Sequence, residues 1–127
     1  METNVITREI IGAAIRIHSI MGPGLLESAY RACLRRELEL RGLRYQSELA
    51  LPIVYLGAVV DAAYRIDFLV EDTVIVELKA VSRTKPLHSA QLLSHLRIGD
   101  KHVGLLINFH VVRLRHGIKR IVNNFRE

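Results

Sequence analysis

The chain has 127 residues, of which 50% are hydrophobic and 24% are charged. That size and balance predict one globular domain over residues 1–127 and exclude a disordered tail or a disulfide-stabilised mini-protein. The 18 Lys and Arg residues outnumber the 13 Asp and Glu residues, and the resulting formal net charge of +5 is compatible with a polyanionic partner. The N-terminus lacks a basic segment ahead of an apolar run, and no apolar stretch approaches the roughly 20 residues of a membrane span. We therefore expect a cytoplasmic protein that does not contact membranes.

Two amphipathic helices are predicted in the first third of the chain. Apolar residues recur at helical spacing from Ile6 to Met21, and Gly22 is suited to end that segment. A second apolar stripe runs from about Leu25 to Arg41. Because the other side of the second segment is rich in charge, this helix should pack its apolar face against a core.

The sequence then changes to the period of β-strands. Residues Leu43–Glu48 and Leu49–Leu56 are β-rich and are broken by Pro52, and Ala62–Val70 and Thr73–Ala80 are the next predicted strands. In the third of these segments the apolar residues alternate, which places four of them on one face: Tyr64, Ile66, Phe68 and Val70.

The remaining segments complete an α/β pattern. Pro86 suits the first turn of a helix over Leu87–Ile98, and Val103–Asn108 is an apolar run typical of a buried strand. Val111–Leu114 is predicted as a short strand and Ile118–Phe125 as a short C-terminal helix. Consecutive strands favour antiparallel pairing, and a helix between two strands favours a parallel crossover. We expect a mixed sheet with helices on both faces.

Charged residues interrupt two of the predicted strands. Asp67 lies in one of them, and Glu77 and Lys79 lie two positions apart in the next. Residues two apart on a strand face the same side, so Glu77 and Lys79 share a face while Val76 and Leu78 pack on the other. If the two strands form a hairpin, Asp67 lies near Glu77.

These residues allow two interpretations. Carboxylate oxygens suit Mg²⁺ or Mn²⁺, which can polarise a phosphoryl oxygen and activate water, while a lysine stabilises the developing charge. That set fits hydrolysis of a phosphodiester. The alternative is a structural salt bridge of Lys79 with Glu77 or Asp67, and spacing alone leaves both open.

The ordered motifs nevertheless resemble a known family. Asp67 followed by Glu77-Leu78-Lys79 is similar to the acid…Glu-x-Lys signature of the PD-(D/E)xK nuclease superfamily, and Gly24 to Tyr30 matches the Gly-x-x-Glu-x-x-Tyr motif of the GxxExxY protein family within it. The resemblance extends from about Ile6 to Asn124. Further matching segments are Ala90–Leu93, Gly104–Phe109 and Gly117–Val122.

The resemblance implies a fold, an activity and a set of ligands. The implied core is α-β-β-β-α-β, a mixed central sheet flanked by helices, and the implied activity is that of a metal-dependent nuclease. By position, Asp67, Glu77, the carbonyl of Leu78 and Glu27 would hold the metal, and Lys79 would serve the attacking water. Glu27 also has a structural explanation, because an acid in the first turn of a helix interacts favourably with the helix dipole.

Candidate substrate contacts come from other positions. The superfamily resemblance makes Gln91 a candidate, although His95 stands where related nucleases with that glutamine often have a tyrosine. Tyr30, one turn after Glu27, could bond a carboxylate or phosphate, or belong to the core. Arg83 and Lys85 could contact phosphate or lie in a solvated loop.

The functional expectation is a Mg²⁺- or Mn²⁺-dependent nuclease that acts on nucleic acid, with DNA favoured over RNA as the substrate and RNA left open. A homodimer is compatible with cutting both strands of a duplex. The alternative is a nuclease-like module with little or no turnover that binds nucleic acid or protein. Arg31, Arg35 and Arg36, together with a basic C-terminal segment, are candidates for a surface that binds the nucleic-acid backbone.

Overall fold

A computed structural model describes residues 1–125, with the backbone alone at residues 61–63. Residues 126–127 of the predicted domain lie outside the described part of the chain. In chain order the elements are α1 Thr3–Met21, α2 Glu27–Leu40, β1 Tyr45–Tyr55, β2 Ala58–Val70, β3 Val74–Lys79, α3 Pro86–Ile98, β4 Val103–Asn108, a 3₁₀ turn Leu114–Gly117 and β5 Ile118–Val122. None of the described helices is both long and apolar enough to cross a membrane.

The strands form one five-stranded mixed sheet in the order β1-β2-β3-β4-β5. The first three strands pair antiparallel, and β3 pairs parallel with β4 across the connection through α3. This pairing confirms the predicted mixed sheet, the antiparallel meander and the crossover. The fold is the predicted α/β core, with β5 added antiparallel to β4.

The sheet is covered on both faces, which is why β3 and β4 are almost continuously apolar. On one face, residues such as Leu78 and Ile107 pack with α1 and α2 in the larger core cluster. On the other face, Ile75 and Leu106 pack with Leu92 of α3. Each fully buried Leu or Ile stabilises the fold by roughly 1.5–3 kcal/mol through burial of apolar surface.

The region around Pro52 differs from the prediction of two separate segments. The structure has a single strand, β1, with a register irregularity between Leu51 and Ile53. Proline cannot donate a ladder hydrogen bond, but β1 is an edge strand, where a missing donor is tolerated.

The predicted single apolar face of β2 is also wrong. Phe68 and Val70 lie in the core cluster on the α1 and α2 side, whereas Ile66 lies in the cluster on the α3 side. Tyr64 is 49% exposed. The alternation assumed a regular strand, but β2 changes face between Ile66 and Phe68, where its ladder to β3 ends.

Two C-terminal elements were predicted incorrectly. Val111–Leu114 is not a strand: it is a bent segment that leads into the 3₁₀ turn. Residues 118–122 form a strand, β5, instead of a helix. Ile118 and Ile121 are three positions apart, a spacing that also fits one face of a helix. On a strand, residues an odd number of positions apart face opposite sides of the sheet. Ile118 and Ile121 accordingly pack against different core clusters.

Candidate active site

Asp67 is positioned at the point where β2 separates from β3. The ladder between these strands covers Phe68 to Val70 and stops there. Beyond it, Asp67 Oδ2 accepts a hydrogen bond of 2.7 Å from the backbone N–H of Leu78. Because the N–H and C=O of a strand residue point to the same neighbour, the Leu78 carbonyl also faces this gap. A carboxylate and a backbone carbonyl therefore lie together at the edge of the opened ladder.

Glu77 and Lys79 flank Leu78 on the opposite side of β3. Leu78 is buried in the cluster under α1 and α2, so its neighbours face the other way, as predicted. Glu77 is 6% exposed, and its Oε1 accepts a hydrogen bond from Nδ1–H of His95 on α3. Lys79 is half-buried and has no ion-pair partner within the described chain. The structure therefore does not contain the salt bridge of Lys79 with Glu77 or Asp67 that was one of the two interpretations of the sequence.

Glu27 approaches the same place from the first position of α2. Partial burial raises the pKa of its carboxyl, and the nearby negative charge of Asp67 raises it further. Lys79 and Arg31 oppose that rise in pKa, and Glu77 adds to it. These mutual effects show that the structure brings Glu27, Asp67, Glu77 and Lys79 into one electrostatic cluster.

Arg31 is at the centre of the carboxylates, although the sequence predicted it on a charged helix face as a candidate for a surface that binds the nucleic-acid backbone. Its Nε lies 3.1 Å from Asp67 Oδ1, its Nη2 3.6 Å from Glu27 Oε1 and its Nη1 3.6 Å from Glu48 Oε1. The Arg31 side chain is only 19% exposed. It therefore does not belong to an open basic surface, and Glu48 joins the site without any signal in the motifs.

The face of α3 beside Glu77 borders an open cleft. Gln91 is exposed and lines a cleft of about 360 Å³ together with His95, Ser94 and Tyr64. The Tyr64 ring packs against the His95 ring with their centroids 5.4 Å apart. Gln91 precedes His95 by one helical turn, so the structure brings the glutamine to the same side of α3 as the residue that bonds Glu77.

Tyr30 is not brought to the carboxylates. It is fully buried and stacks on Phe109, with ring centroids 4.2 Å apart. Its hydroxyl donates to the carbonyl of Gly22 and accepts a 3.1 Å hydrogen bond from the backbone N–H of Leu25. The side chain thereby fastens the loop that leads into Glu27, which favours the core interpretation of this tyrosine.

Arg83 and Lys85 are exposed in the connection between β3 and α3. The start of this connection is held by Asn108, which is 2% exposed. Asn108 Oδ1 accepts a 3.1 Å hydrogen bond from the backbone N–H of Val81, and its Nδ2 donates a 2.9 Å bond to the Val81 carbonyl. Arg83 and Lys85 thus lie in a loop that begins just after Lys79 and whose first residues are held by Asn108.

The donor chemistry of the site fits a hard divalent cation. Glu27, Asp67, Glu77 and the Leu78 carbonyl offer oxygen atoms, the ligands that Mg²⁺ and Mn²⁺ take. Within residues 1–125, however, no three acidic, histidine or cysteine side chains already form a metal-binding group. Asp67 is held by Arg31, and Glu77 is held by His95.

Comparison with known proteins identifies the class. A family model of the PD-(D/E)XK nuclease superfamily matches residues 4–121, so the chain belongs to that superfamily. The solved crystal structure of SSO0001 matches with a TM-score of 0.60 at 18% identity, covering 97% of this chain and 63% of that chain. This likeness shows a shared fold, and our chain spans less than two thirds of that protein. No significant match exists among curated proteins.

Proposed function

We propose that the protein is a metal-dependent nuclease of the GxxExxY type that hydrolyses phosphodiester bonds of nucleic acid, DNA in preference to RNA. The observation that carries the proposal is the hydrogen bond from the Leu78 N–H to Asp67. It joins the acid of β2 to the Glu-x-Lys segment of β3, the two parts of the superfamily signature. Membership of the nuclease superfamily supports the same conclusion.

In this proposal each residue of the cluster has a distinct role. Asp67, Glu77, Glu27 and the Leu78 carbonyl hold Mg²⁺ or Mn²⁺. When bound, such an ion supplies Lewis-acid polarisation of the phosphate and lowers the pKa of a bound water. Lys79, which forms no ion pair among the residues that the structure describes, orients the attacking water and stabilises negative charge on the phosphate oxygens.

The substrate contacts come from the rim of the site. Gln91 lies at the open cleft on α3, and Arg83 and Lys85 extend from the loop after β3, where they can contact phosphates. Tyr30 supports substrate binding only indirectly, through the loop before Glu27. We further propose that the protein acts in the cytoplasm. We also propose that cleavage of a duplex involves a homodimer, because the described residues present one such cluster and a duplex has two strands.

The test is cleavage of end-labelled DNA and RNA with Mg²⁺, Mn²⁺ or chelator. Asp67→Asn, Glu77→Gln and Lys79→Met should each reduce metal-dependent cleavage by about 100-fold or more, because each removes a group that acts on the reacting phosphate. Asp72→Asn is the matched control, since Asp72 is an exposed acid that pairs with Lys101. Equal cleavage by wild type and Asp67→Asn would contradict the proposal.

A second function is favoured by the existing bonds of the carboxylates. Arg31 and His95 already satisfy Asp67 and Glu77, as in a site that has become structural. Under this alternative the chain is a nuclease-like module that binds nucleic acid or protein with little turnover. Salt-sensitive DNA binding that is unchanged by metal, with no cleavage by wild type, would select it.

A further inference from the structure

The environment of Arg31 is unusual because one guanidinium serves several acids. Each of its three nitrogens faces a different carboxylate, on Asp67, Glu27 and Glu48 respectively. The first two acids belong to the proposed metal site, and Glu48 does not. Glu48 comes from β1, where its backbone has φ of 51°, a left-handed conformation that is uncommon for a residue other than glycine. The irregular backbone of β1 thus occurs at Glu48 itself, the residue whose side chain reaches Arg31.

The charges within the cluster cannot all stay in place when a divalent ion binds. The guanidinium Nε lies 3.1 Å from Asp67 Oδ1, and Asp67 Oδ2 already accepts the Leu78 N–H, so an ion at this carboxylate would compete with Arg31. At such short range, like charges in a partly buried site repel strongly. Glu48 is 51% exposed at its side chain, and among the described residues it is the ion-pair partner of Arg31 that lies outside the proposed ligand set.

We propose that Arg31 is an internal counter-ion that competes with the metal for Asp67 and Glu27, and that Glu48 retains the guanidinium when the metal binds. The inference rests on the proposed function, because it concerns the same metal site. Arg31 and Glu48 are thus positioning residues. The metal affinity depends on how strongly Arg31 competes with the ion for Asp67 and Glu27. In the absence of metal, Arg31 then offsets part of the negative charge of Asp67 and Glu27, and Glu48 holds the guanidinium once the metal has displaced it.

The experiment measures Mn²⁺ affinity by calorimetry on the full chain. Arg31→Met should tighten binding by about tenfold, because it removes a charge-assisted bond that the metal must replace. Arg36→Met is the matched control, since Arg36 is an exposed arginine on the same helix, and it should leave the affinity unchanged. Arg31→Lys, which keeps the charge but cannot face three acids with separate nitrogens, should lie between wild type and Arg31→Met.

Glu48→Gln separates the two roles that Glu48 could have. In the wild-type background it should weaken Mn²⁺ binding by about threefold, because the guanidinium loses its alternative partner. In the Arg31→Met background it should have no effect. Equal weakening in both backgrounds would show that Glu48 is itself a ligand and would overturn the proposal.

Thermal unfolding provides a readout that is independent of activity. Without metal, Arg31→Met should lower Tm because the acids lose their counter-ion, and Mn²⁺ should raise Tm more in the variant than in wild type. If Arg31→Met and Arg31→Lys bind Mn²⁺ no more tightly than wild type does, the inference is wrong while the metal site stands. If no variant binds Mn²⁺, the inference and the proposed metal site both fail.

Discussion

Replacing Asn108 by leucine is a strong test of how the loop after β3 is held. The Asn108 amide accepts backbone N–H bonds from Val81 and His110, at 3.1 and 3.2 Å, and donates one to the Val81 carbonyl at 2.9 Å. Leucine has the same branching at Cγ, so the substitution removes these bonds while it keeps the outline of the side chain. The backbone groups of Val81 lose their partner in a part-buried position.

The expected loss follows from the number of bonds. A typical intramolecular hydrogen bond contributes about 0.5–1.5 kcal/mol net, and an unpaired buried group costs more, so Asn108→Leu should destabilise the protein by about 3 kcal/mol. For a domain of this length that corresponds to a decrease in Tm of roughly 10 °C. Asn123→Leu is the matched control, because within the described part of the chain the Asn123 side chain makes one hydrogen bond, to the Lys101 carbonyl.

Urea unfolding followed by circular dichroism measures both variants. Asn123→Leu should lose less than about 1.5 kcal/mol, in keeping with one bond. Hydrogen exchange should also become faster in the segment that carries Arg83 and Lys85, since its base is released. A loss of under about 1 kcal/mol for Asn108→Leu would show that water replaces the amide at no cost and that Asn108 does not hold the loop.

Three further predictions concern single positions. Tyr30→Phe should lower the free energy of unfolding by about 1–2 kcal/mol in chemical denaturation, because the Gly22 carbonyl and the Leu25 N–H lose their hydrogen bonds to the hydroxyl. An unchanged free energy of unfolding would show that water replaces the hydroxyl. Gly117→Ala should sharply reduce Tm, since a Cβ there would lie 2.1 Å from the Asn108 carbonyl oxygen. Gly24→Ala should not, because beyond the neighbouring residues a Cβ there would meet no described atom within 4 Å. Glu27 has a raised pKa, so its ionised form destabilises the fold above that pKa. In metal-free protein Glu27→Gln should therefore raise Tm at neutral pH. This gain in Tm should shrink as the pH falls through the pKa of Glu27 in the folded protein, and it should vanish below its pKa in the unfolded chain. A gain in Tm that does not depend on pH would contradict the raised pKa of Glu27.

The parts of the fold that could be predicted from sequence are those governed by local period. The long apolar runs of β3 and β4 and the two-residue spacing of Glu77 and Lys79 determine which side each residue faces. The C-terminal segment was misassigned because Ile118 and Ile121 fit a helix and a strand equally well. Pairing with β4 makes this segment a strand and not a helix. That pairing is a tertiary interaction, so the local sequence does not reveal it.

The candidate site was predictable only in part for a similar reason. Asp67, Glu77 and Lys79 lie in neighbouring strands of one hairpin, so counting along the chain brought them together. Arg31 approaches Asp67 from another layer of the fold, 36 residues away. His95 meets Glu77 because the crossover places α3 over β3, which spacing along α3 alone does not reveal.

The bond between Asp67 and Leu78 also has a consequence for the order in which the site assembles. It closes a loop of 11 residues, whereas the bond between Arg31 and Asp67 closes one of 36 residues. The longer closure costs about 1 kcal/mol more chain entropy. We therefore expect the strand half of the site to form with its hairpin and the helical half to dock later. Substitutions in the hairpin should slow refolding, while those at Arg31 should mainly speed unfolding.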